Sequence, residues 1–102
     1  MNENLHPLSP KQLEELIERL ENLDEETEES YEYPVSDLVA NLHHPGISRR
    51  SKAEVIDGKL TRYFLYFTSP PETWERLCGR AGTYTVDADS LKALYFDCSL
   101  MS

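Results

Sequence analysis

The hydrophobic pattern near the start of the chain predicts an amphipathic helix over residues 9–23. Apolar side chains recur at the i, i+3, i+4, i+7 spacing of a helix face, at Leu13, Leu16, Ile17, Leu20 and Leu23. Ser9 precedes Pro10, and Gln12 stands three residues after Ser9, which is the spacing of a capping box. We therefore expect one face of this helix to pack on a core and the other faces to contact water.

The pattern stops at residues 24–34, for which the sequence predicts an acidic loop. From Asp24 to Ser30 the chain has five acidic residues and no apolar one. Such a segment has nothing to bury and repels itself, so we expect it to be extended or mobile.

A short helix is predicted over residues 36–43, with Leu38, Val39 and Leu42 facing inward. Ser36 is a candidate cap for its start, and the Pro45-Gly46 pair is expected to end it. Residues 47–52 then carry two arginines and a lysine. They are interpreted as an exposed basic connector.

Residues 53–68 predict a β-hairpin. The Asp57-Gly58 dipeptide at its centre accepts the positive φ angles that a two-residue hairpin turn requires. The second strand is apolar on both faces, with Tyr63, Leu65 and Phe67 on one face and Leu60, Phe64 and Tyr66 on the other. This composition is typical of a central strand whose two faces are covered, or of a strand that leaves one face for a partner.

The C-terminal third predicts a helix over residues 70–78 and two strands within residues 83–101. The last strand alternates, with Leu94, Phe96, Cys98 and Leu100 expected inward and Tyr95, Asp97 and Ser99 outward. The whole order of elements predicts a single two-layer α+β domain over residues 1–102, with about four mostly antiparallel strands. The order of the strands in the sheet stays open.

Charge is distributed unevenly along the chain, whose net charge is −9. Residues 1–37 hold twelve acidic and two basic residues, a balance of −10, whereas residues 38–102 hold seven acidic and eight basic residues, a balance of +1. A negative surface repels phosphate backbones and anionic lipids, so we expect no direct contact with nucleic acid or membrane. A basic protein is the partner that this asymmetry suggests.

The sequence also sets expectations about location and assembly. It contains no apolar run of about 20 residues, and its first residues lack the pattern of a secretion signal, so a cytoplasmic protein is expected. Cys78 and Cys98 lack metal-site or redox-motif spacing; free thiols are favoured, and a single bridge between them stays open. A monomer or a weak homodimer is expected, with the Leu60, Phe64 and Tyr66 face as the surface of self-association.

No residue combination in the sequence predicts a catalytic centre, a metal site or a cofactor. His43 and His44 are adjacent, and adjacent helical side chains point about 100° apart, which is poor geometry for one shared ion. Cys78 ends a predicted helix, where the helix dipole opposes a reactive thiolate. A non-catalytic role is therefore favoured over an enzyme.

The leading hypothesis is an acidic protein-binding module of the inhibitor, immunity or adaptor type. Its candidate contact residues are Glu21, Asp24, Glu25, Glu26, Glu28 and Glu29. One alternative is a nucleic-acid mimic that inhibits a DNA- or RNA-handling protein. Another is a small enzyme or ligand binder with a site built from distant residues, for which Arg62, Tyr63, Arg76 and His44 are candidates.

Overall fold

Five antiparallel strands form one sheet in the part of the chain that the structure, a computed structural model, describes: residues 4–68 and 81–98. The elements are β1 (Leu5–Pro7), α1 (Pro10–Glu21), α2 (Glu25–Glu28), α3 (Val35–Leu42), α4 (Pro45–Ser48), β2 (Lys52–Ile56), β3 (Lys59–Thr68), β4 (Ala81–Asp87) and β5 (Ala93–Cys98). The strands follow chain order, β1-β2-β3-β4-β5. The α+β prediction is confirmed, with five strands where about four were expected.

Strand β1 is the strand that the hydrophobic pattern missed. Leu5 pairs with Glu54 and Pro7 with Lys52, so β1 lies antiparallel to β2 at the edge of the sheet. Three residues are too few to display an alternating pattern. Proline is compatible with this position because an edge strand can leave one backbone position without a ladder hydrogen bond.

Helix α1 begins as predicted. The Ser9 hydroxyl accepts the Gln12 N–H at 3.1 Å, and the Gln12 side-chain oxygen accepts the Ser9 N–H at 3.1 Å, which completes the capping box. The apolar stripe packs on the core, with Leu16, Ile17 and Leu20 buried and Leu13 and Leu23 partly buried. The helix ends at Glu21, two residues before the predicted end.

Helix α3 begins at Val35, one residue before the prediction, and Ser36 does not cap it. Pro34 is the N-cap residue and no side-chain hydrogen bond caps this end. Pro34 has a φ of −56°, so the proline ring itself fixes the entry of the chain into the helix. Pro45 and Gly46 do not lead into an irregular connector, because they open the helical turn α4.

The segment predicted as an exposed basic connector is partly anchored to the sheet. Ser51 is fully buried, and its hydroxyl accepts the backbone N–H of Tyr66 at 3.0 Å. The Arg50 guanidinium lies 5.0 Å from the centre of the Tyr66 ring and donates to the Tyr66 hydroxyl at 2.9 Å. Lys52 is the first residue of β2.

The hairpin of β2 and β3 is confirmed, with positive φ angles of 54° at Asp57 and 78° at Gly58. Its register contains a bulge that the sequence did not predict. Glu54 pairs with Arg62 and Val55 with Leu60, which leaves Thr61 as the extra residue of β3. A bulge changes the alternation of side chains. Leu60 therefore packs against the core, and the predicted grouping of Leu60 with Phe64 and Tyr66 is wrong.

A second bulge corrects the predicted face of Leu94. Thr85 pairs with Tyr95 and Val86 with Ala93, so Leu94 is the extra residue of β5 and is 49% exposed instead of inward. Phe96 packs against the core as predicted. The predicted helix over residues 70–78 lies outside the described residues, as do residues 99–101 of the last predicted strand.

An aromatic cluster joins the sheet to the segment that follows α2. Ring centres lie 4.7 Å apart for Tyr33 and Phe67, 5.4 Å for Phe67 and Tyr84, and 4.7 Å for Tyr84 and Phe96. Tyr31 adds a contact to Tyr84 at 5.2 Å. The chain segment predicted to be an acidic loop therefore supplies two tyrosines to the core.

Candidate protein-binding surface

The predicted acidic loop contains a capped helical turn, so the expectation of an extended segment is wrong. The Asp24 carboxylate accepts the Thr27 N–H at 2.8 Å, and Glu25–Glu28 form α2. Aspartate is among the best N-cap residues, and acidic side chains in a first turn interact favourably with the helix dipole. Asp24 before two glutamates is a helix-start signal that the argument from composition overlooked.

Two residues, Ser30 and Tyr31, bind this segment to residues 91–93 at the start of β5. Thr27 is buried, and its carbonyl accepts the Ser30 hydroxyl at 2.7 Å. The Ser30 oxygen also accepts the Ala93 N–H at 2.9 Å, and the Tyr31 hydroxyl donates to the Leu91 carbonyl at 2.8 Å. The acidic segment is therefore held by both of its ends, at α1 and at residues 91–93.

Three buried tyrosine hydroxyls lie in the acidic segment and in the sheet beneath it. Burial raises the pKa of the Tyr31 hydroxyl, and it also raises the pKa of the Tyr84 hydroxyl, to which the nearby Glu32 charge adds. Burial, with a further contribution from Asp37, raises the pKa of Tyr33 to about 12. These hydroxyls stay neutral at physiological pH, and the Tyr31 hydroxyl acts as a hydrogen-bond donor to the Leu91 carbonyl.

The structure exposes all six predicted contact residues, and it places them along the end of α1 and on the α2 turn. They are Glu21, Asp24, Glu25, Glu26, Glu28 and Glu29. With Glu32, residues 21–32 carry seven acidic side chains and no lysine or arginine. We name residues 21–32 the acidic ridge.

Among the described residues, cations compensate little of the charge on the acidic ridge. Lys92 lies with its Nζ 4.0 Å from the Glu26 Oε1, and both side chains are exposed, so this pair contributes under about 1 kcal/mol. Arg19 of α1 is engaged elsewhere, because its guanidinium donates to the carbonyls of Ala88 at 2.8 Å and Asp89 at 2.7 Å. The ridge therefore presents negative potential to solvent.

A groove with a mixed apolar and polar lining opens beside the acidic ridge, between α1, α2 and α3. Its volume is about 250 Å³, and its lining comprises Leu20, Leu23, Val35 and Val39 with Glu21, Glu28 and Ser36. Sequence reasoning missed this groove. Part of the signal was present, since Leu23 ends the stripe of α1 and Val35 and Val39 are four residues apart on α3.

A second groove lies at the opposite end of α1 and has different chemistry. Its volume is about 440 Å³, and its walls include Leu8, Leu13 and Ile17. His43 and Arg49 supply its polar edge. This groove therefore carries a basic residue where the first carries two acids.

The described residues proposed for an enzyme or ligand site line neither of the two grooves. Arg62 pairs with Glu54 at 3.2 Å on β3, and Tyr63 is buried in the core beside Arg19. His44 is exposed after α3. Arg76, Cys78 and the Cys98 side chain lie outside what the structure describes, so the redox state of the cysteines stays a prediction. Among the described residues, no group of three or more histidine, cysteine or acidic side chains is placed to hold a metal ion.

Within residues 4–68 and 81–98, no helix has both the length and the apolar character needed to cross a membrane. Comparisons with protein-family models, with curated proteins and with solved structures give no match. The class that the fold and the surface define is a small α+β domain whose acidic ridge is hydrogen-bonded to the sheet region.

The cap of α2 makes part of the folding stability depend on pH. Hydrogen bonding from Thr27 lowers the pKa of Asp24 below its usual value, so this carboxylate stabilises the fold above the unfolded-state pKa near 3.8 and loses that contribution as pH falls through the folded value. We expect the free energy of unfolding of the native chain, relative to that of D24N, to fall as the pH is lowered from 6 to 2. Urea unfolding at each pH measures it, and a constant difference would contradict the assignment.

Proposed function

We propose that this protein is a non-catalytic binding module that engages a basic surface of another protein through the acidic ridge. The observation that carries the proposal is a segment with seven acidic side chains and no lysine or arginine, which Ser30 and Tyr31 attach to residues 91–93 by hydrogen bonds. An inhibitor, immunity protein or adaptor is the type of protein that uses such a surface.

Two physical effects support this proposal. A concentrated negative surface steers a positive partner toward it and raises the association rate, an effect that salt screens. Fixing the ridge before binding lowers the entropy cost of ordering it in the complex. The hydrogen bonds of Ser30 and Tyr31 supply that order in the free protein.

The test starts from the full chain immobilised as bait in native lysate, at low and at high salt. The association rate of each captured protein is then measured by stopped flow for the native chain and for a variant neutralised at the six contact residues, with D24N retaining the cap. Steering contributes a factor of 10 or more at low salt, so we expect association to slow by about 10-fold to 100-fold and its salt dependence to flatten.

A matched pair of triple variants separates the ridge from net charge. E25Q/E26Q/E29Q changes the ridge, and E14Q/E15Q/E18Q removes the same charge from exposed positions of α1. We expect only the first triple to slow association strongly. Equal effects of the two triples would refute the ridge as the binding surface. If the partner binds DNA and double-stranded DNA displaces it competitively, the nucleic-acid mimic replaces this proposal.

A further inference from the structure

The groove beside the acidic ridge combines two chemistries in one small volume. Leu20, Val35 and Val39 are buried residues whose side chains form its apolar floor. Glu21 and Glu28 also line it, and both are exposed to solvent. An occupant must therefore offer an apolar stem and a positive group that remains near water.

The size of the groove selects the kind of occupant. Its volume of about 250 Å³ lies below the roughly 300–1,000 Å³ of typical small-molecule sites. A single long side chain from a partner protein fits this scale better than a cofactor does. The larger groove at the other end of α1 does not suit a cation, because Arg49 stands at its edge.

Arginine meets both requirements. Its methylene stem packs on apolar surface while the guanidinium stays hydrated, and its planar fork of donors pairs with carboxylates through two parallel hydrogen bonds. A lysine ammonium is a more strongly hydrated point charge without that fork. Charge complementarity with Glu21 and Glu28 therefore favours an arginine side chain in the groove.

We infer that the groove between α1, α2 and α3 is a receptor for one arginine side chain of the basic partner, with its stem on Leu20, Val35 and Val39 and its guanidinium between Glu21 and Glu28. This inference rests on the proposed function and adds the specificity that a charged ridge alone lacks. Electrostatic steering brings the partner in, and the groove selects the residue that docks.

Two labelled peptides of equal charge test the role of the stem. One is hexa-arginine, and the other is a hexamer of the arginine analogue whose side chain lacks two methylene groups. Their affinities for the full chain are measured by fluorescence anisotropy at low salt. Two buried methylenes correspond to about a tenfold difference in affinity, so we expect the short-stem peptide to bind about tenfold more weakly. Equal affinities would overturn the groove as the receptor.

Two double variants test the role of the carboxylates. E21Q/E28Q removes the acids of the groove, and E25Q/E29Q removes the same charge from exposed ridge positions outside its lining. Loss of a charge-assisted fork costs more than loss of a screened exposed charge. We expect E21Q/E28Q to weaken hexa-arginine binding about tenfold and E25Q/E29Q to weaken it about two- to threefold. The same loss in both variants would contradict the inference.

A third pair fills the groove without changing charge. Ser36 is exposed and lines the groove, whereas Ala40 is exposed on α3 and does not line it. We expect S36M to weaken hexa-arginine binding and A40M to leave it unchanged, with circular dichroism confirming that both fold. Unchanged binding by S36M would count against the groove.

The two proposals can fail separately. If the variant neutralised at the six contact residues still binds hexa-arginine as the native chain does, the ridge itself is not the binding surface and the proposed function fails. If that variant loses binding while the short-stem peptide and both double variants behave alike, only the arginine receptor fails.

Discussion

Replacing Phe67 by alanine is expected to lower the free energy of unfolding by about 3–5 kcal/mol. Phe67 is fully buried on β3, and its ring lies within 4.7–5.8 Å of the ring centres of Tyr33, Tyr84 and Phe96. Truncation removes the apolar contacts of the ring and leaves a cavity among three aromatic neighbours that relax only in part. Domains have a free energy of unfolding of about 5–15 kcal/mol, so this substitution is expected to remove a large share of the total stability.

Urea unfolding of F67A measures this loss. Tyr95 offers a matched control. It is an aromatic residue of the same sheet, on β5, and its side chain is 53% exposed. We expect Y95A to cost under about 1 kcal/mol, as surface substitutions usually do. A cost below about 1 kcal/mol for F67A as well would mean that the aromatic cluster does not hold the sheet to the acidic segment.

Elements with local chemical signals could be predicted from the sequence. The start of α1 followed from Ser9 and Gln12, whose side chains and backbones satisfy each other within four residues of chain. The hairpin turn followed from Asp57 and Gly58, which tolerate positive φ. In both cases the decisive interaction lies between residues close in sequence, so the pattern of residue types contains it.

The bulges and the edge strand could not be predicted in the same way. Thr61 and Leu94 are extra residues only with respect to the strands beside them, and nothing in their own neighbourhood specifies that relation. Strand β1 exists because β2 offers it a partner. Register is a property of pairing between segments, and a shift of one residue reverses the face of every side chain that follows.

The acidic segment shows why amino-acid composition alone led to the wrong local structure. Its charges argued for mobility, yet Ser30 and Tyr31 bind backbone groups about 60 residues further along the chain. The groove likewise joins Leu20 and Val39, which are far apart in sequence. The exposure of the six candidate acids could be predicted from their type. Their placement could not, because it depends on these distant contacts.

The double variant S30A/Y31F tests whether those contacts hold the acidic ridge in place. It removes the hydrogen bonds to Ala93 and Leu91, together with the Ser30 bond to the Thr27 carbonyl, and leaves the ring of Tyr31 and all acidic residues unchanged. A buried carbonyl that loses its partner costs about 1–3 kcal/mol. We expect the free energy of unfolding to fall by about 2–4 kcal/mol for the pair, and amide exchange of residues 28–31 to become much faster.

The control Y95F deletes a tyrosine hydroxyl at an exposed position outside the acidic ridge and the groove, so it should leave both stability and exchange nearly unchanged. Binding then adds a second readout. If the ridge is ordered before association, removal of these hydrogen bonds should weaken partner binding although the charge of the ridge is the same, because the ridge must then be ordered on binding. If S30A/Y31F accelerates exchange and partner affinity stays the same, charge alone carries recognition and the fixed geometry of the ridge contributes nothing to it.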